Sequence, residues 1–169
     1  IYFNNDNYDF LNKIFNKDPL DLKNPELSNE WRQFRLNAIT SLVNEIVDIA
    51  HSKNKKVSAA VFPFPEMSRQ MVRQAWNDWN LDSAYPMLYN NFYRENINWI
   101  GFATKQGVSD VDFPIHSGLY SGALKNPGDF EKAYNISKEN GASGISIFTA
   151  DGLNDEQKSF LVKLKNSKQ

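Results

Sequence analysis

Two carboxylates stand where a catalytic acid or base belongs. Glu66 comes four residues after the apolar run 57–62, and Asp151 comes two residues after the run 143–149. In parallel α/β proteins the chemistry gathers at the C-terminal ends of strands. Asp82, Asp110 and Asp112 precede strands instead, so a structural role is expected of them. A pair of carboxyl groups can divide general-acid and general-base work. Each also has a plainer reading: Glu66 as a helix N-terminal charge beside Ser68, favoured by the helix dipole, and Asp151 as a loop or capping residue. Groups suited to recognition lie nearby. Tyr89 and Asn90 close the run 83–89, Tyr120 closes the run 113–120, and Phe92, Tyr93 and Trp99 enrich the segment after Asn90. A tyrosine offers a ring face and a hydroxyl together, whether to a ligand or to the core with its tip wet. His116 interrupts an apolar strand and reads either as a ligand-binding or proton-shuttling group or as a satisfied core histidine. His51, late in a helix, is placed by the dipole alone.

Other chemistries find no footing. The two histidines are 65 residues apart, and there is neither an HExxH pattern nor a cysteine, so no zinc site is expected. Walker and GxGxxG loops are missing, and the glycines of GASGISIFTADG suit helix-to-strand packing better than phosphate. No cofactor is expected.

Alternating elements must position these groups. Residues 1–28 read as irregular, with scattered aromatics, a short helix near 8–15, and Pro19 and Pro25 as punctuation. After Ser28, a suitable N-cap, the spacing of Trp31, Phe34, Ala38, Leu42, Ile46 and Ala50 predicts a helix with one apolar stripe. Residues 57–62 predict a strand buried on both faces. A helix from Ser68 to about Asn80 follows, with Met71, Val72, Ala75, Trp76 and Trp79 inward. Then come a strand at 83–89, a helix at 95–106 stopped by Gly107, and a strand at 113–120. A helix from Asn126–Pro127 to Gly141, a strand at 143–149 and a helix from Asn154 to Lys165 complete the chain. Strand starts at 57, 83, 113 and 143 fall 26, 30 and 30 residues apart. Such a period implies parallel strands joined by right-handed helical crossovers.

Two architectures take four such units: a small open parallel α/β sheet, or half of a (β/α)8 barrel spanning 29–169. A complete barrel needs about 250 residues. In the second case the missing half, or a second copy of the chain, would have to complete it. The 169 residues carry 19 Lys and Arg against 20 Asp and Glu, a net charge of −1, which argues against a nucleic-acid partner. With no cysteine there is no disulfide framework, and no apolar run is long enough to span a membrane. A start at Ile1 with no initiator Met leads us to expect a processed or truncated N-terminus.

Four segments resemble the C-terminal half of the glycoside-hydrolase-like family 10 barrels: WRQFRLNAITSLVNEI (31–46), VSAAVFPFPEMSRQMVRQAWNDWNLDSAYPMLYNNFY (57–93), PIHSGLYSG (114–122) and GASGISIFTADGL (141–153). The W-x-x-F-R opening and the W-x-x-W-x-x-D-x-x-x-P-M-x-Y run carry most of the likeness. It implies that the strands are the fifth to eighth of a barrel. The implied activity is carboxylate acid/base hydrolysis of a polysaccharide or cell-wall glycan, in a secreted or lipid-anchored bacterial protein. Glycoside cleavage ordinarily takes two carboxyl groups, and Glu66 and Asp151 are the candidates here. Tyr89, Asn90, Phe92, His116 and Tyr120 would meet the carbohydrate. The family's Asp-Tyr-x-Arg-Tyr-Pro motif would fall before Ile1, so the chain alone is expected to be inactive. The alternative is a barrel that binds sugar, or serves structurally, without cleaving.

Overall fold

A computed structural model describes residues 23–24 and 27–166. The elements run α1 (Asn29–Ser52), β1 (Ser58–Val61), α2 (Pro65–Val72), β2 (Ser83–Pro86), α3 (Asn98–Ser109), β3 (His116–Tyr120), α4 (Asp129–Glu139), β4 (Gly144–Phe148) and α5 (Asp155–Asn166). Single 3₁₀ turns lie at Trp76–Asp78, Asn90–Tyr93 and Ala150–Gly152. The protein is therefore a mixed α/β chain with parallel strands. The helix expected near 8–15 lies outside the described residues.

Two parallel ladders form, β1 with β2 from Ser58↔Ser83 to Val61↔Pro86 and β3 with β4 from His116↔Gly144 to Tyr120↔Phe148. Two single parallel bridges, Ala84↔Ile115 and Met87↔Gly118, join the ladders. Ala84 N donates to Pro114 O at 3.0 Å and Leu88 N to Gly118 O at 2.9 Å across this seam. The strands thus lie side by side in chain order.

Strand side chains alternate between faces. Val61, Ala84 and Ile115 pack with Val47 of α1 and with Trp76, Trp79 and Leu81 in one core. Leu88 and Leu119, with Ile145 and Ile147, pack with Ile100 and Ala103 of α3, Phe130 and Ala133 of α4, and Phe160 and Leu161 of α5 in a second. All these strand residues share one parity, so the described helices cover one face. The opposite parity gives Ser58 and Ala60, Tyr85, Met87 and Tyr89, His116, Gly118 and Tyr120, and Gly144, Ser146 and Phe148. Ser58, Ala60 and Phe148 are exposed. The expectation that residues 57–62 are buried on both faces is corrected: one face is open.

Local chemistry explains the boundaries. Ser28 Oγ caps α1 by accepting from Trp31 N at 3.2 Å. The inward face of α1 is Leu36, Ile39, Val43 and Val47, while Leu42 and Ile46 are 59% and 52% exposed. The helix has two apolar edges, and the expected stripe follows the wrong one. α2 starts three residues before Ser68, with Pro65 in its first turn, where a missing N–H costs nothing. Arg73 takes a left-handed conformation (φ 63°) and ends it, so Trp76 and Trp79 reach the core from an irregular segment. Ser68 is internal and buried. Its Oγ donates to Phe64 O at 2.9 Å and accepts from Trp76 Nε1 at 3.0 Å. Gly107 lies inside α3, where an added Cβ would stand 3.3 Å from the Trp76 ring. Asn154 opens α5 as expected: its Oδ1 accepts from Gln157 N at 2.9 Å, and Gln157 Oε1 accepts from Asn154 N at 3.0 Å.

Candidate functional site

At their C-terminal ends β2, β3 and β4 bring Tyr89, Tyr120 and Phe148 together, and the turn after β2 adds Phe92. Strand alternation dictates this, since Tyr120 and Phe148 face one another in the ladder and Tyr89 follows Met87 by two. Tyr89 and Phe148 stack with centroids 5.7 Å apart and planes 20° apart. Tyr120 lies 5.8 Å from Tyr89 and 6.1 Å from Phe148. Phe92 closes the group at 5.3 Å from Tyr120 and edge-on to Tyr89 at 5.7 Å. Phe92 stays 62% exposed and Phe148 51% exposed, so the cluster offers ring surface to solvent. Partial burial raises the Tyr89 and Tyr93 hydroxyl pKa values, so both phenols stay protonated at neutral pH. Gly122 makes room for the Tyr120 ring, which a Cβ there would meet at 2.5 Å.

One carboxylate of this end is Asp151, exposed in the 3₁₀ turn after β4. It accepts a hydrogen bond from Thr149 Oγ1, and that bond, first among the causes, holds its pKa below the ordinary Asp value. Asp151 is thus ionised at neutral pH, fit for a base, nucleophile or charge-stabilising role rather than for proton donation. The peptide bond Phe148–Thr149 is cis. The buried Ser121 donates to Phe148 O at 3.3 Å and Thr149 O at 3.0 Å. Gln157 Nε2 reaches Ser121 O at 3.3 Å and Leu124 O at 2.7 Å, and Lys125 Nζ reaches Gly152 O at 2.6 Å. These contacts fix the loop after β4 against the loop after β3.

The other expected site residues lie apart from this group. Glu66, at the same sheet end, is exposed in the first turn of α2 and accepts from Gln70 Nε2 at 3.3 Å. Asn90 Nδ2 donates to Glu95 O at 3.0 Å and so closes its own turn. His116 sits two layers below, stacked on Tyr85 at 4.8 Å and 13°. Gly144 makes room for it, since a Cβ there would stand 2.7 Å from His116 Nδ1. An open cavity of about 370 Å³ at the opposite strand ends is lined by Lys56, Ser58, Asp82, Ser83, Tyr85 and His116. There Asp82 Oδ2 accepts from Val57 N at 2.7 Å and meets His51 Nε2 at 2.9 Å, which makes both structural residues.

No protein-family model matches this chain, and neither does any curated protein or solved structure. The site therefore stands on its own geometry. Phe148, Thr149 and Ser121 escaped sequence reasoning. Phe148 gave no separate signal in the sequence, since it stands one residue before the end of the run 143–149. Among the described residues no helix is long and apolar enough to cross a membrane, and no three His, Asp or Glu side chains converge to hold a metal ion.

Proposed function

We propose that the chain is the C-terminal half of a (β/α)8 barrel of the glycoside-hydrolase-like family 10 type. In this reading the Tyr89–Phe92–Tyr120–Phe148 cluster carries a sugar ring of a polysaccharide or cell-wall glycan outside the cytoplasm. The observation that carries it is the aromatic cluster at the C-terminal ends of three adjacent parallel strands, with an ionised carboxylate in the next turn. Ring faces cover the apolar C–H surface of a sugar, while phenol hydroxyls bond its polar rim. The strand order supports the barrel. Doubly wound sheets reverse their order and carry helices on both faces, whereas here the order is consecutive and the helices lie on one side. Parallel sheets are ordinarily covered on both faces, so the open face calls for more protein opposite it. Asp151 acts as nucleophile or base, and a proton donor comes from Glu66 or from the completing strands.

The test is binding of the 169-residue chain to a panel of soluble oligosaccharides and peptidoglycan fragments, read by affinity electrophoresis. Phe92→Ala and Phe148→Ala are expected to weaken binding by about fivefold to tenfold each, with folding intact by circular dichroism. No retardation by any glycan, or equal retardation of wild type and both variants, overturns the reading. The second reading is a binding-only role, supported by the exposed rings of Phe92 and Phe148, which can hold a sugar without any carboxylate. Hydrolysis by a protein carrying all eight βα units, with and without Asp151→Asn, separates the two. Loss of turnover with binding retained identifies the catalytic form.

A further inference from the structure

The apolar stripe that the sequence predicts on α1 includes Leu42 and Ile46, and the packing of α1 onto the sheet leaves them unused. Leu42, Ile46 and Ile49 are 59%, 52% and 59% exposed. Spaced four and three residues apart, they form one line along the helix. They are not free to turn inward, because the other flank of α1 is pinned. Thr40 Oγ1 accepts from Trp79 Nε1 at 3.3 Å. Asn44 Nδ2 donates to Asp78 O at 3.1 Å, and Asn44 Oδ1 accepts from Asn80 N at 2.9 Å. Residues 78–80 lead into β2, so the pinned flank is the one on the β2 side. At about 3.6 residues per turn, Leu42, Ile46 and Ile49 fall on the opposite side of the buried face made by Leu36, Val43 and Val47. They therefore overhang the outer edge of β1.

That edge is open as well. Among the described residues β1 pairs with β2 alone. Val57 O and Val61 O accept from Asp82 N at 2.9 Å and Met87 N at 2.8 Å, which turns the backbone groups of these two residues toward β2. Ladder alternation then points the N–H and C=O of Ser58 and Ala60 outward, and both residues are exposed. An apolar helix flank and an unpaired strand edge thus lie side by side. Elsewhere in the chain both kinds of surface are covered. β2 meets β3 along its far edge, and α3 meets α4 so closely that a Cβ on Gly101 would stand 2.5 Å from the Ile136 side chain. Among the described residues the unit of α1 and β1 has such neighbours on one side only.

We propose that the Leu42–Ile46–Ile49 flank of α1 and the outer edge of β1 are one docking surface, taken by a parallel strand and an apolar-faced helix of the completing barrel half. The inference rests on the half-barrel reading above and says where the other half joins. A parallel strand on that edge makes α1 its crossover helix to β1, the connection that parallel strands require. The helix of that strand's own unit then lies against Leu42, Ile46 and Ile49. A second copy of the chain suits the place less well. Its β4 would bring α5 with it, and α5 would contend with α1 for the same groove.

The test places the same substitutions in two proteins and reads thermal unfolding. In the 169-residue chain the flank is bare, so Leu42→Asp and Ile46→Asp should each move Tm by less than about 2 °C. In the protein carrying all eight βα units each should lower Tm by about 5–10 °C, because the charge then falls inside an apolar contact. If a charged variant does not fold there, Leu42→Ala is read instead. Its loss should be about 3–6 °C in the eight-unit protein and less than about 2 °C in the chain alone. Equal losses in the two proteins overturn the proposal. So does a dimer of the 169-residue chain in sedimentation that Ile46→Asp dissociates, since it gives the flank to a second copy. Glycan retardation together with equal losses strikes the docking surface and keeps the sugar reading, and unequal losses without retardation do the reverse.

Discussion

Replacing Gly118 with alanine probes the seam that joins the two ladders and aligns the aromatic site. Gly118 lies opposite Met87, and a Cβ there would stand 2.6 Å from Pro86 O and 3.3 Å from Met87 Cα. Both neighbours are backbone, so no rotamer change relieves the clash, and β3 must move away from β2 by several tenths of an ångström. That motion stretches the Leu88 N–Gly118 O bond of 2.9 Å and the Ala84 N–Pro114 O bond of 3.0 Å. The cost should fall in the upper part of the overpacking range, about 2–3 kcal/mol. For a chain of this length it lowers Tm by about 4–12 °C. Urea unfolding followed by far-ultraviolet circular dichroism gives the free energy. Gly128→Ala serves as reference, since Gly128 has φ 77° and nothing within 4 Å of an added Cβ; it should lose only about 1 kcal/mol for its backbone. The close-approach argument fails if Gly118→Ala is no more destabilised than Gly128→Ala. Tyr89 and Tyr120 flank the same seam at 5.8 Å, so on the proposed function the substitution should also weaken glycan binding.

Ser68→Ala removes the acceptor of the buried Trp76 indole N–H, whose bond is 3.0 Å long. An unmatched buried donor should cost about 1–3 kcal/mol, measured by denaturant unfolding, and Ser68→Thr should recover most of it. Asp82 is held below the ordinary Asp pKa chiefly by its hydrogen bond with His51, then by the Val57 N–H. Because its folded carboxyl ionises more readily than the unfolded one, its contribution is complete above about pH 4 and is lost as pH falls through the lower folded value. Asp82→Asn should therefore be less stable than wild type at pH 7, and the gap should close in melts taken at progressively lower pH.

The alternation of strands and helices was legible in the sequence because each strand is a short apolar run bounded by turn residues. Ser28 and Asn154 were legible as caps because a side-chain oxygen at a helix start acts through local geometry alone. The inward face of α1 was not, since Leu36–Val43–Val47 and Leu42–Ile46–Ile49 both recur at helical spacing, and only the position of Trp76 and Trp79 selects between them. Those tryptophans fit a helical face in the sequence, but Arg73 turns the chain before them, and nothing in its residue type announces a left-handed conformation. At the site, Tyr89 and Tyr120 were legible as strand-end aromatics and Phe92 as an aromatic of the segment after Asn90. Phe148 was not, because it reads as one more apolar residue of its strand. Asn90 carried a polar side chain at the right place, yet its amide serves the turn, a choice set by the carbonyl of Glu95 five residues on.

The two cores are offset across the sheet, and only the β2 and β3 runs enter both. The core of Val61, Trp76 and Ile115 lies under the whole of β1 and the beginnings of β2 and β3, and that of Leu88, Leu119 and Phe130 under the ends of β2 and β3 and under β4. Only the second lies beneath the aromatic cluster. Cohesion therefore divides across the sheet, with β1 belonging to the first core, β4 to the second, and the β2 and β3 runs to both. Amide protection can then be lost around the second core while the first holds, because local opening follows contiguous packing units. The chain can release or reshape its ring surface by loosening β4 with α3, α4 and α5 while α1 and β1 stay packed in the first core.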